Sequence, residues 1–239
     1  MPAQSMAAPI CILGMHRSGT SCLAGALEAG GLFLGDVVQQ APHNRRGNRE
    51  HLDIRALNDA VLTHNGASWD RPGPIATWPD RLAEQRDELI EVLGNKGQRR
   101  WGFKDPRTVL TLDFWRQGAR FDLVGTFRHP LSVAASLAAR GGVPMGSGLK
   151  LWHTYNSVTV REWDRRPFPI IRFDQAPDAY AKGLGALLSQ LGFMPAGTAF
   201  FTSELVHQQT NVDSPLPAPI GQLWYDLLER AEQSMSAAV

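Results

Sequence analysis

One stretch constrains this chain more than any other. The apolar run Ile10-Cys11-Ile12-Leu13 stops at a glycine. Gly14-Met15-His16-Arg17-Ser18-Gly19-Thr20-Ser21 then leads straight into a segment with Cys22, Leu23, Ala26 and Leu27 at helical spacing. A buried strand, a glycine turn and a helix in immediate succession open a parallel α/β unit. The two glycines stand five apart, as in the phosphate-cradling pattern G-x-x-x-x-G-K-[ST]. One part is displaced: Thr20 stands where that pattern has lysine, and the cation is Arg17 instead. An anion site survives the change. The backbone N–H groups of Ser18 to Ser21 are expected to point out of a helix N-terminus, and the hydroxyls add donors. The kinase-type pairing of a lysine with a magnesium-binding hydroxyl is lost, although Ser21 keeps a hydroxyl for the second role. No metal is expected. The plain alternative is a glycine-rich turn with surface hydroxyls; a cation at its mouth has little packing purpose and argues against that.

Strand and helix patterns alternate through the rest of the chain. Strands are expected at residues 101–104, 122–127 and 168–173. Helices are expected over residues 18–29, closed by Gly30 and Gly31, and over 50–64, where Ile54, Leu57 and Val61 share one face. Further helices fall near 80–93, 109–118, after Pro130 with Val133 and Leu137, and over 149–163, 179–191 and 223–232. The last presents Leu223, Trp224, Leu227, Leu228 and Ala231 as one docked face. Residues 42–49 read as a basic loop, 68–79 as an irregular excursion holding Trp69 and Trp78, and 200–219 as extended and partly irregular. This alternation predicts an α/β fold, a mainly parallel sheet flanked by helices on both faces. Functional residues then belong just after the strands, at their carboxyl ends.

Composition narrows the classes. At 239 residues, 43% hydrophobic and 20% charged, a single α/β domain over residues 1–239 with a substantial core is expected. A formal net charge of +1 supplies no global field for nucleic acid or an acidic membrane, so anion recognition has to be local. Cys11 and Cys22 read as small buried hydrophobes in a reducing compartment. No apolar run approaches the ~18 residues of a membrane span. Residues 1–9 lack a secretory signal pattern, so a cytoplasmic location is expected.

A second anion motif follows the third strand. Phe127-Arg128-His129-Pro130 ends that strand, and Ser136 lies eight residues after Arg128, about two turns into the next helix. In a parallel sheet both can converge on one phosphate beside the first turn. In these residues the chain resembles the sulfotransferases that use 3′-phosphoadenosine 5′-phosphosulfate (PAPS). The family's 5′-phosphosulfate loop, a basic residue followed by Ser-Gly-Thr, matches Arg17-Ser18-Gly19-Thr20. Its 3′-phosphate motif matches Arg128, Pro130 and Ser136. The first turn, with Trp101-Gly102-Phe103-Lys104-Asp105-Pro106-Arg107, looks like the bacterial branch. The resemblance spans roughly residues 10–173. It implies a sulfotransferase fold of the P-loop type and PAPS as sulfuryl donor, bound by Gly14, His16, Arg17, Ser18, Gly19, Thr20, Ser21, Arg128 and Ser136. Arg17 replaces the lysine common in eukaryotic cytosolic members; its permanent charge and two-oxygen grip preserve the role.

The implied chemistry is in-line transfer of a sulfuryl group to an acceptor hydroxyl or amine, on a small molecule or a glycan. Arg17 and the turn suit the departing phosphate, and Lys104 the sulfuryl oxygens. Glu50 is the first choice for the base. On a helix over 50–64 it shares the inward stripe of Ile54, Leu57 and Val61; alternatively it only favours a helix N-terminus. His51 is second and Asp105 third, the latter alternatively fixing Lys104 or Arg107. Arg45, Arg46 and Arg49 read as a solvated basic loop or as an attractor for an anionic acceptor. Trp69 and Trp78 either line a sugar or aromatic acceptor site or pin the excursion to the body. Trp152 and Tyr155 read as helix packing rather than adenine contacts, and His207 has no evident partner. A P-loop kinase and a non-catalytic nucleotide-binding relative are the competing classes.

Overall fold

The computed structural model describes residues 7–40, 47–96, 99–195 and 214–236. β1 (Ile10–Leu13) is apolar and buried at all four positions, the pattern of a strand covered on both faces. It lies between β2 (Gly102–Lys104) and β3 (Asp122–Phe127), and β4 (Ile170–Arg172) completes a parallel sheet of order β2-β1-β3-β4. Ile12 pairs with both Lys104 and Val124, and Phe127 pairs with Arg172.

The period-two alternation of the strands feeds two cores. Ile10, Ile12, Val124 and Ile171 pack with α1 (Thr20–Ala29) and α7 (Pro177–Gln190). Cys11, Leu13, Phe103, Phe127 and Ile170 pack on the other face. That face is covered by α2 (Leu52–His64), α3 (Asp80–Lys96), α4 (Thr108–Gly118), α5 (Pro130–Gly141), α6 (Met145–Arg165) and α8 (Ala218–Ser236). The chain is therefore an α/β protein with helices on both faces of a parallel sheet. Cys11 and Cys22 are both buried and form no disulfide, and Tyr180 Oη donates to Cys22 Sγ at 3.8 Å.

From β1 the chain moves to β2 on one side, then returns past β1 to β3 on the other. That reversal opens a crevice at the carboxyl ends of β1 and β3, the usual ligand position in such sheets. Both sequence motifs begin there. Two boundaries depart from the sequence pattern in ways that matter for the site. α1 starts at Thr20 because Gly19 adopts a left-handed conformation (φ 86°) as its N-cap. α2 starts at Leu52, leaving Glu50 outside the helix. α6 and α8 also run longer than expected, over Met145–Arg165 and Ala218–Ser236.

Candidate active site

The turn after β1 needs both of its glycines. Gly14 has φ 153°, and a Cβ there would lie 2.6 Å from Thr126 O and 2.7 Å from Thr20 Cγ2. A Cβ on Gly19 would meet Phe173 Cδ2 at 2.3 Å. Ser18 N donates to Met15 O at 3.2 Å, and Thr126 Oγ1 donates to Ser18 O at 3.1 Å, locking the turn to β3. The amide of Ser18 is thus used inside the turn, contrary to expectation. Thr20 and Ser21 open the helix, where N–H groups lack intrahelical acceptors. Arg17 is held at φ 70°, a conformation that costs a non-glycine residue roughly 1–3 kcal/mol and clusters at functional sites. Its side chain crosses to α5, where Nε donates to Ser136 Oγ at 2.8 Å.

From β2, Lys104 reaches the same place. Its Nζ lies 2.8 Å from Glu50 Oε1 and 3.4 Å from Ser21 Oγ. The lysine missing after Gly19 is thereby replaced by one from the neighbouring strand. The Lys104 side chain is 1% exposed and that of Glu50 12%. Burial lowers the Lys104 pKa, with Glu50 opposing.

Glu50 reaches this position by a different route from the one its sequence spacing suggests. It belongs to no helical stripe. An antiparallel backbone clasp holds it: Arg49 N donates to Val38 O at 3.2 Å and Val38 N to Glu50 O at 3.1 Å. Ser21 Oγ donates to Asn48 O at 3.1 Å, which ties the clasp to α1. His51 caps α2 with its ring against Gly35, and its buried Nδ1 has no hydrogen-bond partner. Asp105 is fully buried and accepts from Arg107 N at 2.8 Å and Arg107 Nη1 at 3.1 Å. Burial raises its pKa, with Arg107 opposing. Of these three residues, Glu50 is the one joined to Lys104 and so to Ser21.

Arg128 leaves β3 buried, its carbonyl accepting from Trp152 Nε1 at 2.8 Å and its guanidinium 5.8 Å from the Phe173 ring. Burial lowers its pKa, with Asp174 opposing. Burial also lowers Arg17, assisted by the positive charges of Arg140 and Arg128. His16 packs against Trp69, ring centroids 4.8 Å apart, with Tyr155 beyond at 6.0 Å. Burial, followed by the charges of Arg107 and Lys104, pushes its pKa well down. Trp152 and Tyr155 are buried in the core.

Arg49 departs from the solvated-loop expectation: it is buried and pairs with Glu28 at 2.9 Å. Arg45, Arg46 and His207 lie outside the described residues. Sequence reading missed Phe173, which wedges between Gly19 and Arg128, and Asp174, whose Oδ2 accepts from His129 N at 3.1 Å. Their position just after β4 was the available signal. A groove of about 520 Å³ lies at the opposite, amino end of β3 and β4, and its charges largely neutralise one another through Arg116–Glu162 and Arg166–Asp122. Among the described residues no group of three or more His, Cys, Asp or Glu is placed to hold a metal ion, and no helix is long and apolar enough to cross a membrane.

These features define an α/β protein with a glycine turn at its topological switch point, with Arg17 in the turn and Lys104 beside Ser21. No family model and no curated protein sequence matches the chain. Among solved structures, the sulfotransferase domain of the Synechococcus PCC 7002 olefin synthase superposes with a TM-score of 0.51 at 16% identity. The match covers 98% of this chain and 96% of that one. The likeness is one of fold: this chain has a sulfotransferase-type architecture over its length.

Proposed function

We propose that the protein is a sulfotransferase that moves the sulfuryl group of PAPS to an acceptor hydroxyl or amine. The observation that carries the reading is the 2.8 Å hydrogen bond from Arg17 to Ser136. It brings the turn after β1 beside the helix after β3, which supports a donor with anionic groups at both its 5′ and 3′ positions. The residues fit such a ligand. Ser18 Oγ is buried without a hydrogen-bond partner. Burial disfavours the charges of Arg17 and Arg128, a cost that a nearby anion offsets.

When bound, the donor supplies a sulfuryl group on a phosphate leaving group. The amides of Thr20 and Ser21, with Arg17, hold its 5′ end; Arg128 and Ser136 hold the 3′-phosphate. Lys104, placed against Ser21, offsets negative charge developing beside the turn. Glu50, oriented by Lys104, takes the proton of the acceptor hydroxyl.

Lys104 also restores the lysine of a nucleotide kinase, so the test separates the two classes. Adenosine 3′,5′-bisphosphate without magnesium is expected to stabilise the protein against heat, by about 2.7 kcal/mol at a concentration 100 times Kd. Stabilisation by ATP and magnesium alone would refute the reading. Arg128→Ala is expected to weaken the bisphosphate about 10- to 100-fold, the worth of a charge-assisted hydrogen bond, and AMP far less. Glu50→Gln should keep nucleotide binding and lose most turnover with PAPS.

A further inference from the structure

The excursion after α2 carries two partly exposed tryptophans, and the structure gives them different surroundings. Trp78 meets the Phe114 ring of α4 edge-on, centroids 5.4 Å apart, an anchoring contact on the helical layer. Trp69 instead lies over the glycine turn, against His16. Reciprocal backbone bonds between Ser68 and Arg71, 3.0 and 3.2 Å, fold residues 68–71 into a tight hairpin with Trp69 in its bend. Tyr155 Oη donates to Trp69 O at 2.8 Å and pins the hairpin to α6. Asn65 closes the excursion behind it, donating to Thr77 O at 2.8 Å and accepting from Ala76 N at 3.0 Å. The aromatic ring is therefore held in place before any ligand arrives.

We propose that Trp69 and His16 form the acceptor side of the site, and that the acceptor presents its hydroxyl on a sugar ring stacked on Trp69. This inference rests on the sulfotransferase reading. The surroundings of Trp69 favour a sugar over an aliphatic alcohol, because its neighbours in the hairpin are Ser68, Asp70 and Arg71, with Ser68 Oγ donating to Asp70 Oδ1 at 2.6 Å. An aromatic ring in the same hairpin as an exposed carboxylate and an exposed guanidinium suits an apolar C–H face edged by hydroxyls. His16 Nδ1 is buried without a hydrogen-bond partner. Flanked by Lys104 and Arg107, the imidazole serves as a neutral hydrogen-bonding group beside Arg17.

The test is saturation-transfer NMR on the full chain loaded with adenosine 3′,5′-bisphosphate. The probes are the methyl glycosides of glucose, galactose, mannose and N-acetylglucosamine, with 1-octanol as the apolar competitor. At least one glycoside is expected to receive saturation on the C–H protons of one ring face. Trp69→Leu should weaken that glycoside at least tenfold and Trp69→Phe should recover part of it, while Trp78→Leu stays within twofold. His16→Asn should weaken the sugar as well. Nucleotide-induced thermal stabilisation shows that each variant is folded. Nucleotide binding with no glycoside bound, an unchanged Trp69→Leu, or displacement of the sugar by 1-octanol each overturns the acceptor site alone. A wild-type protein that ignores the bisphosphate overturns the sulfotransferase reading with it.

Discussion

The Lys104–Glu50 pair offers the sharpest test of how the site is assembled, because it should couple stability to site geometry. The two side chains are 1% and 12% exposed and meet at 2.8 Å. Removing one partner of a buried pair costs about 3–5 kcal/mol when the other charge is stranded. Glu50→Gln leaves an amide oxygen for Lys104, so about 2 kcal/mol is expected. Lys104→Met strands a carboxylate, and about 3 kcal/mol is expected. The double variant should lose only about 2–3 kcal/mol, a coupling of about 2–3 kcal/mol, at the upper end for residues in contact. For a chain of this size 2 kcal/mol corresponds to a Tm lower by roughly 4–8 °C. The pH dependence has a definite sign. In the folded protein Lys104 already titrates below its ordinary value of 10.5, and Glu50 is the strongest influence raising it. Without Glu50 the folded pKa drops further. The unfolded chain then binds more protons in the window between that pKa and 10.5, so stability rises with pH through it. Below the folded pKa the penalty is fully present. Urea unfolding of the four proteins from pH 7 to about 10 measures both effects. Single-variant losses that add within about 0.5 kcal/mol, or a Glu50→Gln deficit that does not shrink toward pH 10, would refute the coupling.

Two further substitutions probe the framework. Gly19→Ala imposes a left-handed alanine whose Cβ falls 2.3 Å from Phe173 Cδ2. A loss of about 2–4 kcal/mol is expected in urea unfolding, partly relieved by Phe173→Leu; a neutral Gly19→Ala would contradict the packing. Asn58 is fully buried, donates to Thr108 Oγ1 at 2.9 Å, and accepts from Thr111 Oγ1 at 2.6 Å and Trp115 Nε1 at 2.8 Å. Asn58→Ala leaves those donors unpaired between α2 and α4 and should cost about 3 kcal/mol, while Asn58→Asp, which keeps the acceptor oxygens, should cost less. Equal unfolding midpoints for the two variants would show that the acceptor role is unimportant.

Much of the architecture was legible because strand and helix periodicities are local. β3 falls on the residues its apolar pattern marks, and β1 on its four-residue run. The glycine turn was legible as well, since only glycine fits Gly14 and Gly19. Glu50 was chosen on a helical spacing that does not exist, yet it stands beside Lys104. The clasp that puts it there joins residues 37–38 to 49–51, and such pairings leave no periodic trace. Trp69 and Trp78 look alike in sequence and part company only through Tyr155 and Phe114.

The sequence by itself determined the parallel α/β class and the strand–glycine turn–helix unit, because alternation of apolar residues and the steric demand for glycine act over a few neighbouring positions. Only the tertiary structure decided which cation completes the turn and which carboxylate faces it. Lys104 is 83 residues from Ser21 and 54 from Glu50. Their meeting depends on strand order and on buried charge seeking a partner, neither of which is written in any short stretch of chain.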